Sequence, residues 1–389
     1  MTSSDTTSVL IEPAETPGTT RIGLYRCGGK PVSSLLIHKR RMRIGSATVI
    51  MGGIGGVGTD SKHRKKGYSR QVMQRSVEWM DRERFDVSVL FGIRDFYHRW
   101  GFVTAYGGSW LTVSAAEASG CPYGPAVRPF KPADMPAILR IYNRQNRSRT
   151  CSIVRPPFPD DGFPKGSQFF TKPRIIVVTT HRGRIIGYAA IDDTHQGPGR
   201  KRATKVADRL ALCEVGASDP AAYNTILAEA ARQATEAEIE EVSVHLPLDH
   251  PFAVFCRQYG TTAYSTYPSS GAAMARIINV PRCVRKLRRE LESRLAAAGI
   301  ACGALWLETD AGSVGLYLSR DGLAIESTRR RGTPTLEIPQ PLLTLGLLGA
   351  RTPELVLADP QARATGKVEK LADALFRPDT PYMWTPDHF

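Results

Sequence analysis

Val57-Gly58-Thr59-Asp60-Ser61-Lys62-His63-Arg64-Lys65-Lys66-Gly67 is the stretch on which the reading of this chain turns. It follows the strand-like run Ala47 to Met51 and the glycine-rich Gly52 to Gly56. It precedes Tyr68 to Glu83, where Tyr68, Val72, Met73, Val77 and Met80 recur at helical spacing. A strand ends, a basic turn follows, and Arg64-x-x-Gly67-x-x-Arg70 opens a helix. The first-turn amides of a helix have no intrahelical partner, and the dipole adds positive potential there. Gly67 lets an anion approach the backbone, and Arg64, Lys65 and Lys66 surround it with charge. The pattern predicts a site for a pyrophosphate that needs no metal.

Working outward, Asp86 to Phe91 reads as a buried strand leading to the aromatic turn Arg94-Asp95-Phe96-Tyr97-His98-Arg99-Trp100-Gly101-Phe102. Upstream, Arg21 to Cys27 and Pro31 to His38 predict a hairpin. Residues 1–20, rich in Ser, Thr and Pro, read as a flexible lead-in. A second unit starts after Gly124-Pro125, with a strand at Val127 to Phe130 and a helix from Ala133 to Arg144. A hairpin at Arg174 to Thr179 and Arg184 to Ile191 follows, then a helix at Asp219 to Glu236 and a strand at Glu241 to Leu246. This order repeats the first unit, extended at its front, so the fold is read as duplicated. Pro281 to Ala298 predicts a third-unit helix, followed by three strands at hairpin spacing and a closing helix, Val368 to Phe376. The units are taken as 21–125, 126–281 and 282–389, and the fold class as α+β.

The 389 residues, 42% of them hydrophobic and 23% charged, suit two or three globular domains. No apolar run approaches a membrane span; Pro341 to Ala350 is the best and is broken by Thr344 and Gly346. With no apolar core for a signal peptide at the start, the protein is read as cytoplasmic. Seven cysteines without CxxC or Cys/His pairing support neither a disulfide framework nor a zinc site. Cys213, Cys256 and Cys302 read as small core residues. His245 and His250 bracket a proline turn without further ligands, so no metal is expected. The net charge of +15 favours anionic partners. Its basic runs, Arg200-Lys201-Arg202 among them, are spread over the chain and carry no nucleic-acid recognition motif.

Strand, phosphate loop, helix, strand and then Tyr-x-x-x-Gly-Phe is the order found in GNAT acetyltransferases, which the N-terminal third resembles. Arg64-Lys65-Lys66-Gly67-Tyr68 matches their acyl-CoA pyrophosphate loop. The whole chain resembles the "enhanced intracellular survival" (Eis-like) acetyltransferase family: two tandem GNAT-like units and a C-terminal sterol-carrier-protein-like α+β domain. Ile278-Asn279-Val280-Pro281 matches that family's junction into its last domain, and the aromatic, Asp-containing ending matches as well. The resemblance implies acetyl-CoA as donor, no metal, and direct transfer of acetyl to a primary amine: aminoglycoside-like, polyamine or peptide lysine. Val57, Gly58 and Thr59 would meet the pantetheine arm; Arg64, Lys65, Lys66, Gly67 and Tyr68 would hold the pyrophosphate. Tyr97 would protonate the departing thiolate, and the Phe389 carboxylate would relay a proton from the amine. The resemblance also implies a hexamer and no membrane partner.

Two departures matter. The second unit has Glu214-Val215-Gly216-Ala217-Ser218-Asp219-Pro220 in place of the basic loop, so two acids are expected to face the phosphate position and to repel a cofactor. The first unit lacks the strand and two helices that normally precede the first hairpin, which predicts a wide acceptor cleft. The alternative function is a lipid- or acyl-binding carrier with inactive GNAT units.

Overall fold

The computed structural model describes residues 7–26, 29–156, 163–164, 173–192 and 210–389. Cys27, the turn glycine Gly28, the start of the expected lead-in and the run Arg200-Lys201-Arg202 lie outside the described residues. The chain opens with β1 (Thr7–Pro13), β2 (Thr19–Arg26), β3 (Ser33–Ile44), β4 (Ala47–Thr59), α1 (Tyr68–Arg82), β5 (Val87–Gly92), β6 (Val103–Tyr106), β7 (Gly108–Ser114) and α2 (Ala115–Ser119). It continues with β8 (Ala126–Pro129), α3 (Met135–Gln145), β9 (Arg174–Thr179), β10 (Ile185–Asp192), β11 (Leu210–Ala217), α4 (Ala221–Glu236), β12 (Glu241–Val244), α5 (Pro251–Cys256), β13 (Thr262–Thr266) and β14 (Ala272–Ile277). The last module holds α6 (Val280–Ala297), β15 (Gly303–Glu308), β16 (Val314–Ser319), β17 (Gly322–Glu326), β18 (Thr335–Glu337), α7 (Gln340–Leu348), α8 (Pro353–Leu357), β19 (Arg363–Thr365) and α9 (Glu369–Leu375).

The expected lead-in needs correcting. β1 pairs antiparallel with β2 from Thr7↔Arg26 to Pro13↔Thr20. Its Val9 and Ile11 pack against the core under α1, so the Val-Leu-Ile run outweighs the Ser/Thr-rich surroundings. The front strand of the first unit is therefore present. Residues 14–18 join β1 to β2 with no helix between them.

Two seven-stranded sheets carry the first two-thirds of the chain, in the orders β1-β2-β3-β4-β5-β14-β6 and β13-β7-β12-β11-β10-β9-β8. Each sheet takes one strand from the other half of the chain. β14 lies between β5 and β6, pairing Met274 with Leu90 on one side and with Thr104 on the other. β7 lies between β12 and β13, pairing Leu111 with Val244 and Ala263. This exchange crosses the expected boundary at 125/126, which the covalent order alone places between separate units.

A five-stranded sheet, β17-β16-β15-β18-β19, forms the last module. It shares a hydrophobic core with the first sheet: Met42, Met51, Val87 and Val89 pack with Val284, Leu287 and Leu291 of α6. The same junction holds a buried Asp86, whose Oδ2 accepts from the Ile50 amide and the Lys286 ammonium, both at 2.7 Å. The opposite face of the first sheet is covered by Val72, Met73 and Met80 of α1. The apolar run noted in the sequence is α7, buried against β14 and β6. Cys213 and Cys256 are buried as expected, whereas Cys302 is exposed, in the turn between α6 and β15. Among the described residues no helix is long and apolar enough to cross a membrane.

Candidate active site

β4 and β5 part company halfway along. They pair in parallel only from Met51↔Val87 to Ile54↔Leu90. β4 then continues along β3 to Thr59, with Gly56 at φ 60, while the end of β5 stays beside β14. The Asp60 amide bonds to the Val32 carbonyl at 2.9 Å, so strand alternation turns the amide and carbonyl of Thr59 away from β3, while Gly56 and Val57 fall at a register shift opposite Leu35. Gly58 faces β3, where its carbonyl accepts from Ser33 Oγ at 3.1 Å. A split between parallel strands leaves room beside the β4 backbone for an extended chain carrying amides of its own, as pantetheine does.

The loop beyond the split is basic and leads into a helix start. Asp60 caps a 3-10 turn by accepting from the Lys62 amide at 2.9 Å. Lys65 and Gly67 follow at φ 62 and φ 77, both left-handed, and Gly67 is the N-cap of α1. A methyl group at Gly67 would meet no atom within 4 Å, so the approach to the first-turn amides is open. The first turn of α1 contains no acid. Arg64, Lys65, Lys66 and Arg70 are exposed around it, and Arg64 Nε lies 3.5 Å from the Thr59 carbonyl. Tyr68 stands half-buried with His63, ring centroids 6.3 Å apart. The donor set is backbone N–H and side-chain cations, which fits a pyrophosphate without a metal.

Tyr97 lies in the 3-10 turn that follows β5 and is 7% exposed. Its ring packs on Gly92, edge-on to Phe96 at 4.8 Å. Among the described residues its hydroxyl has no hydrogen-bond partner, and burial holds the phenol above the usual value of 10.0. Asp95 and His98, its neighbours, are exposed.

The chain's last residues reach the same split. A Cβ on Gly53 would sit 2.6 Å from the Phe389 ring, and one on Gly55 would sit 3.0 Å from the Phe389 carboxyl carbon and 3.5 Å from His38 Nε2. These glycines make room for the tail, the usual meaning of glycine inside a strand. His388 lies against Phe91, ring centroids 3.9 Å apart. His38, which sequence reading passed over, projects from β3 beside them with Nδ1 3.0 Å from Thr19 Oγ1.

The second unit differs from expectation in one respect. Glu214 does not face a phosphate position. It is buried inside the second sheet, accepting from Arg155 at 2.8 and 2.6 Å and from the Tyr188 hydroxyl at 2.6 Å. Asp219 does sit at the start of α4, where its Oδ1 accepts from the Ala221 amide at 3.0 Å, so that helix start is closed by the chain's own carboxylate. Arg155 also gave no signal in the sequence. Glu214 gave one: it is the lone acid in the apolar strand Leu210 to Ala217. His250 caps α5 by accepting from the Phe252 amide at 3.2 Å and bonds Gln145.

Three histidines make stability depend on pH. Burial pushes His38 down to about 4, with Arg40 adding to the effect. It pushes His250 down to about 3, helped by Arg149, and His388 to about 4 against the opposing pull of the Met383 carbonyl and Asp387. In the unfolded chain each titrates near 6.5. As pH falls below that value the unfolded chain binds protons that the folded one refuses, so stability is lost between about 6.5 and about 4. The urea midpoint is expected to be lower at pH 5 than at pH 7.5, and His250→Gln to narrow the gap. Equal midpoints for the wild type would contradict this.

The site can be set beside known proteins. Residues 10–105 match the family model described as an acetyltransferase (GNAT) domain. No curated protein is similar to the chain by sequence. A conserved protein of unknown function from Enterococcus faecalis V583 superposes with a TM-score of 0.72 at 12% identity, over 96% of this chain and 90% of the other. A GCN5-related N-acetyltransferase from Anabaena variabilis gives 0.70 at 16%, over 95% and 89%. Eis1 from Mycobacterium abscessus gives 0.65 at 15%, over 99% and 100%. Residues 10–105 are thus similar to a GNAT acetyltransferase domain, and over nearly its whole length the chain shares its fold with Eis1.

Proposed function

We propose that this protein is an acetyl-CoA-dependent N-acetyltransferase that passes the acetyl group directly to a primary amine in a ternary complex. The observation that carries the proposal is the split between β4 and β5, running straight into a basic, left-handed loop at the start of α1. Acetyl-CoA would supply the activated acetyl group. Val57 and Thr59 would bond the pantetheine amides, while Arg64, Lys65, Lys66 and the amides from Gly67 and Tyr68 would hold the pyrophosphate. Tyr97 keeps its proton through neutral pH and would give it up to a thiolate. Phe389 would offer its α-carboxylate as a relay for the proton lost by the amine. The acceptor would be a polyamine, an aminoglycoside-like amine or a peptide lysine, since among the described residues no helix stands between β1 and β2 to close the first unit's front. In this reading the two large sheets are two acyltransferase units sharing strands. The last module would be the sterol-carrier-like one, delivering the tail.

Calorimetric titration with acetyl-CoA tests the donor site. Each lost charge-assisted hydrogen bond is worth about 1.5–3 kcal/mol, so Arg64→Ala/Lys65→Ala is expected to weaken binding by at least about tenfold. A panel of spermidine, an aminoglycoside and a lysine peptide then identifies the acceptor class. Wild-type protein that binds no acetyl-CoA would end the proposal.

A further inference from the structure

Arg155 and Glu214, each with its side chain 1% exposed, form the most deeply buried ion pair among the described residues. Nothing in the chemistry above uses them. The Arg155 guanidinium is shared between two carboxylates. Nη1 and Nη2 donate to Glu214 at 2.8 and 2.6 Å, and Nε and Nη2 donate to Asp387 at 2.8 and 2.9 Å. Its flat face lies 3.8 Å above the Tyr142 ring, and the Tyr142 hydroxyl donates to Asp387 Oδ2 at 3.0 Å. The guanidinium is therefore fixed on its edges and on one face.

One cation between two buried anions is a poor device for stability, because desolvating three charges consumes much of what their pairing returns. It is a good device for geometry, since the planar fork accepts partners in few orientations. The elements it joins give that geometry a purpose. Glu214 belongs to β11 and Tyr142 to α3, both in the second unit, while Asp387 immediately precedes His388 and Phe389. Trp384 and Tyr382 are seated in the second unit's core, with Trp384 Nε1 donating to Asn146 at 2.9 Å and the Tyr382 hydroxyl to the His245 carbonyl at 3.1 Å. The next residues cross to the first sheet and lie on Gly53, Gly55 and Phe91.

We infer that Arg155, held by Glu214, is a positioning residue for transfer at the first split: through Asp387 it fixes His388 and Phe389 against the two strands. The inference rests on reading that split as the transfer site. The second unit, its own helix start closed by Asp219, then serves the reaction without binding a donor.

The test uses the full chain. Asp387→Asn keeps the side-chain shape and removes the charge; Tyr142→Phe removes one hydrogen bond and keeps the ring under the guanidinium. In Asp387→Asn the amides of Asp387 and His388, bonded to Trp384 and Thr385 carbonyls at 2.8 and 3.2 Å, are expected to exchange hydrogen at least about tenfold faster. The Tyr382 amide, bonded to the Thr150 carbonyl at 2.9 Å, is expected to be unaffected. With acetyl-CoA and the best amine of the panel, kcat falls about tenfold or more while the calorimetric Kd for acetyl-CoA stays within about twofold. Tyr142→Phe follows the same pattern at a few-fold, and decides the matter should Asp387→Asn fail to fold. Combined with deletion of Phe389, which takes the terminal carboxylate away from its seat at Gly55, neither variant adds to the loss from that deletion alone, because all act through one tip. Unchanged exchange and kcat in both variants, or losses that multiply with the deletion, overturn the inference. A wild type that binds no acetyl-CoA overturns the function reading instead; the exchange arm then still decides whether Arg155 holds the tip.

Discussion

Tyr97→Phe is expected to lower kcat by about 10²- to 10³-fold and to leave acetyl-CoA affinity within about twofold. The substitution removes one oxygen, and the ring keeps its seat on Gly92 and against Phe96 and Phe102, ring centroids 4.8 and 6.5 Å away. Folding is therefore untouched and the effect falls on chemistry. A departing thiolate with a pKa of about 8.5 takes up a proton at neutral pH, and a phenol of about 10 or above still carries one to give it. Burial raises Tyr97 further, so wild-type kcat is expected to hold up to pH 10 and to fall beyond it. The variant should show no such limb. Steady-state kinetics across pH 6–10.5 checks both points, and a variant within threefold of wild type would remove Tyr97 from the reaction.

Arg155→Met is expected to destabilise the protein by about 3–5 kcal/mol, because it strands Glu214 and Asp387 in the interior without a counter-charge. A thermal melt should show this as a Tm lower by about 4–6 °C. The informative comparison is Arg155→Met/Glu214→Gln/Asp387→Asn, which removes all three charges and should recover most of the loss. Such recovery would separate the two roles of the cluster: the triple variant would be stable yet would no longer fix the tail. A triple variant as unstable as the single one would mean that packing around Arg155, on Tyr142 at 3.8 Å, matters more than its charge.

What the sequence made legible was local. The basic loop before α1 announces itself through adjacent basic residues, a glycine at the helix start and the apolar stripe of α1, all within about one strand–helix unit. Most strands and helices of the second and third units follow the same kind of signal. β1 was missed because Ser and Thr around it resemble a disordered segment, and only pairing with β2 gives Val9 and Ile11 a core to face. The strand exchange was out of reach for a different reason. Gly108 to Ser114 and Ala272 to Ile277 went unread as strands, and nothing in a six- or seven-residue strand states which sheet it joins. Glu214 shows the same gap at a single residue. Its oddity within an apolar strand was visible, yet its partner lies 59 positions away at Arg155, and the acid was assigned to the wrong side of the strand.

Strand exchange also bears on inheritance. A duplicated unit that has no chemistry of its own is ordinarily free to erode, and eventually to be lost. Here β14, from the second half, is the direct neighbour of β5 in the first sheet. Any lesion that unravels the second half withdraws that neighbour and opens the edge of the very strand that leads to Tyr97. On the function proposed above, selection acting only on the first site would therefore maintain the fold of both halves, because the strand beside β5 comes from the second.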